Sequence, residues 1–131
     1  MSAMEDNSAQ EGKAAESEPA YTMRTYYMGF LKRGPKWSPE ATEENMRISE
    51  GHMAHITRMA EEGKLILAGP FIHPPDAPQQ DILAGIFLFD VETREEAQAL
   101  CDADPGVQSE RFVIELLQWY GPAGISYVGM K

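Results

Sequence analysis

The chain has 131 residues, a formal net charge of −10 and a single cysteine, Cys101. Its length fits one domain, and one cysteine cannot form an internal disulfide, which is typical of a reducing compartment. The acidic balance, with no basic stripe, argues against nucleic-acid binding. No apolar run reaches the roughly 18 residues needed to cross a bilayer, and the first residues lack the features of a secretory signal. We therefore expect a cytoplasmic protein with no nucleic-acid or membrane partner.

The chain begins with a segment that cannot form a core. Residues 1–20 contain no aromatic or β-branched residue and are rich in Glu, Ser and Ala, so we expect a disordered acidic tail. The first strand is predicted at Tyr21–Leu31. A helix follows, with Ser38 as its N-cap, Pro39 in its first turn and its end at about Glu62, before Gly63. Its buried stripe is predicted from residues at helical spacing, namely Met46, Met53, Ile56 and Ala60.

The second half of the chain adds three strands and one helix. Thr93 and Glu96 have the spacing of a capping box, and Asp104-Pro105-Gly106 ends the helix that follows. That helix is predicted to continue to about Ala103, with Ala97, Leu100 and Cys101 facing the core. The strands are predicted at Lys64–Ile72, Ile82–Val91 and Arg111–Trp119. The order βαββαβ indicates an α+β, ferredoxin-like domain over residues 21–122, an antiparallel sheet with two helices on one face. Residues 123–131 are predicted to form a C-terminal tail.

The strands carry more apolar residues than one covered sheet face requires. In the last strand Phe112, Ile114 and Leu116 point to one side and Val113, Leu117 and Trp119 to the other. Two helices can cover only one face, so a second copy of the sheet is the simplest cover and predicts a homodimer. Glu115 interrupts the second face, either as a rim position or beside a ligand cavity.

Three motifs resemble the YciI-like (YCII-related) family. They are the run His52–Pro70 (HMAHITRMAEEGKLILAGP), the Asp-Ala-Asp-Pro at Asp102–Pro105 and the closing Trp-Tyr-Gly-Pro at 119–122. The resemblance covers about residues 22–122 and implies a dimeric α/β barrel. Most members of the family have no assigned reaction, although relatives in aromatic-compound breakdown include a dehydrochlorinase. The wider fold includes lactone isomerases and cofactor-free monooxygenases.

In that family one histidine and one aspartate are regarded as the active-site pair. The resemblance implies that they correspond to His52 and Asp104 in this chain. An imidazole titrates near neutral pH and is a natural acid–base group. Gly51, inside a predicted helix, suggests close approach by a backbone or a ligand. The alternatives are a packed, hydrogen-bonded histidine and an aspartate that only forms a turn.

Further candidates for substrate binding lie in the first two strands. Gly69 and Pro70 match the family's pocket wall, and Phe71 and Tyr27 are aromatic residues that either line a cavity or pack in the core. Arg24 either binds an anionic substrate or forms a surface ion pair. A metal site is not expected, because His55 shares a face with Arg58 and Glu62 that looks solvated, and His73 lies in a proline-rich loop.

These observations favour a cofactor-independent enzyme in which His52 moves protons and Asp104 orients it. The chemistry would be isomerisation or elimination on a small aromatic or lactone-like molecule. A ligand-binding or accessory dimer with the same pocket and no turnover is the alternative, and a structural dimer is a third. The sequence therefore leaves open whether the chain is an enzyme.

Overall fold

A computed structural model describes residues 22–125. Its elements are β1 (Met23–Arg33), α1 (Glu43–Glu61), β2 (Leu65–Pro70), β3 (Leu83–Phe89), α2 (Arg94–Asp102), α3 (Pro105–Gln108) and β4 (Phe112–Pro122). The predicted α+β, ferredoxin-like order is confirmed, with the short helix α3 as an addition. The predicted tail at 1–20 and residues 126–131 of the C-terminal tail lie outside the described residues.

The four strands form one antiparallel sheet in the order β2-β3-β1-β4. β1 and β4 pair along their whole lengths, from Met23↔Pro122 to Arg33↔Phe112. The end of β1 therefore lies beside the start of β4. β3 begins and β2 ends at this same end of the sheet, which is where the candidate site is found.

The core lies between the sheet and the helices. Its buried members are Tyr27, Leu31, Ile56, Met59, Leu65, Phe87, Phe89, Val91, Ala97, Cys101 and Leu116. Six of these residues lie in strands, and Phe87 and Phe89, two apart on β3, point to the same covered face of the sheet. No helix within residues 22–125 is long and apolar enough to cross a membrane.

The start of α1 differs from the prediction. The helix begins at Glu43, and its N-cap is Thr42, whose hydroxyl accepts the Asn45 N–H at 3.0 Å. Ser38, the predicted cap, accepts the Glu40 N–H at 3.1 Å in the preceding loop. Two acidic residues in the first turn after Thr42 favour that start, because they face the positive end of the helix dipole.

The buried stripe of α1 also needs correction. Met46 and Met53 are each 56% exposed, whereas the buried residues of the helix are His55, Ile56 and Met59. His55, expected in solvent, donates from Nε2 to the carbonyl oxygen of Leu100 at 2.8 Å. That carbonyl belongs to the last turn of α2, where helix geometry leaves carbonyls without partners. The imidazole is buried because it satisfies one of them.

The outer face of the sheet, away from the helices, exposes Leu67, Val113, Leu117 and Trp119. Beside these residues, Tyr26, Ile66 and Leu88 form a small buried cluster. Glu115 is exposed on this face, with a carboxylate oxygen 3.6 Å from Lys32 Nζ. The outer face is therefore largely apolar, as the strand pattern predicts.

Candidate functional site

His52 of α1 and Asp104 after α2 meet at one hydrogen-bonded contact. The imidazole Nδ1 lies 2.9 Å from both carboxylate oxygens of Asp104. The Asp104 side chain is fully buried, and that of His52 is 17% exposed. Because an ionised carboxylate only accepts hydrogen bonds, the Nδ1 nitrogen carries the proton. The opposite nitrogen, Nε2, then has a free lone pair.

Asp104 is held in place by the short helix that follows it. It is the N-cap of α3, and its Oδ1 accepts the Gly106 N–H at 2.8 Å. From the sequence, Asp104 was expected at the C-terminal end of the preceding helix, where the helix dipole disfavours a negative charge. In the structure α2 ends at Asp102, and Asp104 lies at the N-terminus of α3, where the dipole favours a negative charge. Asp-Pro is a common N-cap and N1 pair, and this signal was available in the sequence.

Two glycines allow the two elements to approach. A Cβ at Gly51 would lie 3.0 Å from the Pro105 ring, so α1 packs directly on the first residue of α3. A Cβ at Gly106 would lie 2.9 Å from Phe112 and 3.4 Å from both Asp104 Oδ1 and His52 Nδ1. The close approach expected at Gly51 is thus to a proline side chain.

His52 forms part of the wall of a cavity of about 280 Å³ at the end of the sheet. The cavity is lined by Leu31, His52, Met53, Ile56, Ala68, Gly69, Pro70, Ala84, Gly85, Ile86, Phe87 and Phe112. The imidazole packs between two aromatic rings, with centroids 6.1 Å from Phe87 and 5.4 Å from Phe112. Its surroundings are apolar, which strengthens its hydrogen bond to Asp104.

The candidate binding residues fall into two groups. Gly69 and Pro70 line the cavity with His52. Arg24, Tyr27 and Phe71 do not. Arg24 pairs with Asp90 at 2.7 Å, which raises the pKa of the guanidinium. Tyr27 is buried in the core, and its hydroxyl accepts from Gln118. Phe71 is 46% exposed just beyond β2.

Several cavity residues were not anticipated as part of a site. Phe87, Phe112 and the stretch Ala84–Ile86 were predicted only as residues of strands. A common signal links most of them, since Phe112 and Ala84–Ile86 lie in the first residues of their strands, at the end of the sheet where β1 and β2 finish, while Phe87 lies further along β3. Once the strand pairing is known, the register shows which strand ends lie together, and those ends identify most of the residues that line the cavity.

The remaining polar candidates have structural contacts. His73 Nε2 donates to the Leu83 carbonyl at 2.6 Å. Within residues 22–125 no group of three or more His, Cys, Asp or Glu side chains could hold a metal ion. Cys101 is buried, as predicted, and burial together with Asp102 and Asp104 raises its thiol pKa to about 12.

The sequence model of the YCII-related domain matches residues 26–119. The chain belongs to the YCII-related domain family. The match spans β1 to β4 and includes both His52 and Asp104, so the family resemblance found in the sequence is confirmed. No curated protein matches the chain.

A solved structure with a similar fold is 5-chloro-2-hydroxyhydroquinone dehydrochlorinase from Burkholderia phenoliruptrix in complex with 2,5-dihydroxybenzoquinone. The TM-score is 0.49 and the sequence identity is 14%, over 72% of this chain and 92% of that one.

Proposed function

We propose that this YCII-related chain is a small-molecule enzyme in which His52 is the general acid–base and Asp104 orients it. The observation that carries the proposal is the bond from His52 Nδ1 to both oxygens of a fully buried carboxylate, at the wall of a mostly apolar cavity. We place its activity in the cytoplasm, in keeping with the composition of the chain.

The pair supports proton transfer through Nε2. With Nδ1–H bonded to Asp104, Nε2 removes a proton from a substrate carbon, and the buried carboxylate stabilises the imidazolium. In an isomerisation Nε2 returns the proton to another atom of the substrate. In an elimination the electron pair of the broken C–H bond forms the new double bond while the leaving group departs with its own pair. A positioned base of this kind contributes about 10² to 10⁴ in rate.

The cavity indicates the substrate class. Its walls are aliphatic and aromatic side chains with the backbone of Gly69 and Gly85, and His52 is the one titratable side chain among them. Such a cavity favours a compact, mostly apolar molecule, such as a substituted ring or a lactone. Its polar atoms would be directed towards the imidazole.

The test is turnover by site variants on a panel of small cyclic substrates. His52→Gln should lower kcat by 10²-fold or more, because glutamine keeps a polar group there but cannot exchange a proton. Asp104→Asn should lower kcat as well, since an amide does not select the Nδ1–H tautomer. Arg47→Gln, an exposed change on α1, is the control. Full activity of a folded His52→Gln protein on a turned-over substrate would refute the assignment.

A ligand-binding module is the second candidate. It is favoured by the lack of a second titratable side chain lining the cavity among the described residues, because many acid–base reactions use two such groups. A binding module would hold the ligand with similar affinity in wild type and Asp104→Asn, with no product from either.

We also propose that the protein is a homodimer joined through the outer face of the sheet. The support is the exposed apolar surface at Leu67, Val113, Leu117 and Trp119, which one copy leaves in solvent. A symmetric pairing would cover the same patch on both copies.

A further inference from the structure

Within residues 22–125, Arg111 is a buried cation without a partner for its charge. It precedes β4, its side chain belongs to a residue only 9% exposed, and its Nη2 donates to the Ser38 carbonyl oxygen at 3.2 Å. Its Nη1 is buried and has no hydrogen-bond partner. Among residues 22–125 no carboxylate forms an ion pair with it, although six pairs between a carboxylate and a lysine or arginine occur elsewhere.

This arrangement is costly for the folded chain. A guanidinium stays charged at any ordinary pH and has five N–H donors, of which one is used here. Burial lowers the pKa of Arg111, which shows that its surroundings disfavour the charge. Buried charges in proteins are normally paired, so an unpaired arginine that lines a cavity is a candidate binding group for an anion.

A second cavity, of about 470 Å³, lies beside this guanidinium. It is formed by the loop before α1 and by the first two turns of that helix, and it is separate from the cavity at His52. Its lining is Trp37, Ser38, Pro39, Glu40, Ala41, Asn45, Met46, Ser49, Glu50 and Arg111. It thus combines hydroxyl and amide groups with an indole and a thioether. The Trp37 ring is held by Arg33, whose guanidinium carbon is 3.9 Å from its centroid.

We propose that Arg111 binds the carboxylate of a small organic molecule in this cavity. The planar guanidinium matches a carboxylate with two parallel hydrogen bonds. The exposed carboxylates of Glu40 and Glu50 line the same cavity and repel a dianionic phosphate more than a singly charged group. Trp37 and Met46 provide apolar contact for the rest of the ligand. An aromatic carboxylate therefore fits better than acetate, and acetate better than inorganic phosphate.

The site is independent of the proposed proton transfer. Both cavities lie along α1 but share no lining residue, and Glu50 of one and His52 of the other, two residues apart, point to opposite sides of the helix, about 200° apart around its axis. Loss of turnover in a His52 variant would leave anion binding at Arg111 unchanged. Failure of either proposal is therefore visible without the other.

The experiment is a benzoate titration of the full chain at constant ionic strength, followed by ¹H–¹⁵N NMR and by the thermal midpoint. Saturable shifts are expected at the Trp37 indole N–H and the Ser49 and Glu50 amides, together with a rise in Tm. Arg111→Met should weaken benzoate binding at least tenfold, as roughly expected for losing a charge-assisted hydrogen bond. Arg47→Met, which removes an exposed arginine from α1, should leave benzoate binding unchanged.

Three outcomes would overturn the site. The first is a Tm rise of equal size when chloride replaces benzoate, or when benzoate is added to Arg111→Met. The second is benzoate-induced NMR shifts at residues away from this cavity. The third concerns Glu50, whose carboxylate lines the cavity. If wild type binds no benzoate and Glu50→Gln does, then the Glu50 carboxylate is the partner of Arg111 in solution, and the native protein has no anion site there. Should Arg111→Met fail to fold, Arg111→Lys replaces it, and undiminished binding by this point charge would contradict bidentate recognition.

Discussion

Gly106 lies where three side chains of the candidate site meet. A Cβ there would be 2.9 Å from Phe112 Cδ2 and 3.4 Å from both Asp104 Oδ1 and His52 Nδ1. We expect Gly106→Ala to lower the free energy of unfolding by about 1–3 kcal/mol, because a methyl group is forced into a packed site. Denaturant unfolding measures the loss.

Gly69→Ala is the matched control for this change. Gly69 lines the nearby cavity at His52, but a Cβ built on it meets nothing within 4 Å. The free energy of unfolding should stay within about 1 kcal/mol of wild type or rise slightly, since alanine restricts the unfolded chain. Equal losses in the two variants would mean that the contacts around Gly106 do not limit its size.

Cys101 should be unreactive in the folded protein. Burial raises the pKa of its thiol from 9.0 to about 12, so at pH 8 the folded chain has roughly a thousandfold less thiolate than the unfolded chain. Iodoacetamide should label it only after unfolding in urea. Rapid labelling at pH 8 without denaturant would contradict its burial.

The same shift gives a pH dependence of stability. The folded thiol stays protonated while the unfolded thiol ionises above pH 9.0. The free energy of unfolding should therefore fall as pH rises from about 9 towards 12. Cys101→Ala should remove this part of the fall, which is measured as the difference between the two proteins across that range.

The residue scale is also where sequence interpretation succeeds and fails most clearly. His55 reads as solvated beside Arg58 and Glu62, but the Leu100 carbonyl, 45 positions away, provides a buried partner. A polar residue is buried or exposed according to such distant partners, which spacing along one helix cannot reveal. Cys101 was correctly assigned to the core, since it lies among apolar residues of an amphipathic helix.

At the scale of elements, the start of α1 provides a direct test. The sequence pattern predicted Ser38, before Pro39, as the cap, whereas the structure uses Thr42, before Glu43. Thr42→Ala should lower the free energy of unfolding by about 1 kcal/mol, because the Asn45 amide loses its acceptor. Ser38→Ala is expected to have a smaller effect. The reverse order, measured by urea unfolding, would place the helix start at Ser38.

Element order and strand positions were predictable because glycine and proline mark the turns and apolar alternation marks the strands. The four-residue α3 was missed, since it has too few residues for a periodic pattern. The wrong stripe of α1 has a different cause. Met46 and Met53 have the right spacing, but each lines an open cavity and stays exposed: Met46 the one beside the loop at 37–41 and Met53 the one at His52.

At the scale of the whole molecule, the pairing of His52 with Asp104 was indicated by resemblance to a family. It could not have been worked out from spacing, because the two residues are 52 positions apart. The cavity that His52 lines depends on four strand ends meeting at one end of the sheet, which is a result of strand register. The unpaired Arg111 is likewise visible only in three dimensions, since nothing in its neighbourhood in the sequence marks it.

The apolar outer face gives the last prediction, that of oligomeric state. Leu117 is 51% exposed on this face and pairs across the strands with Met28. If two copies meet here, Leu117→Asp places a charge in each half of a symmetric interface, where burying it without a partner is costly. Light scattering should give twice the chain mass for wild type at tens of micromolar and a single chain mass for the variant.

Ile72→Asp is the control for that measurement. Ile72 is 96% exposed, an even more accessible apolar side chain, but it lies in the loop after β2 rather than on the outer face. It should leave the dimer intact, because its side chain is outside the proposed contact. A monomeric wild type would contradict the proposed homodimer. If only Ile72→Asp dissociated the dimer, the subunit contact would lie at the loop after β2 instead of on the outer face. Only loss of the dimer in Leu117→Asp with its retention in Ile72→Asp assigns the contact to the sheet.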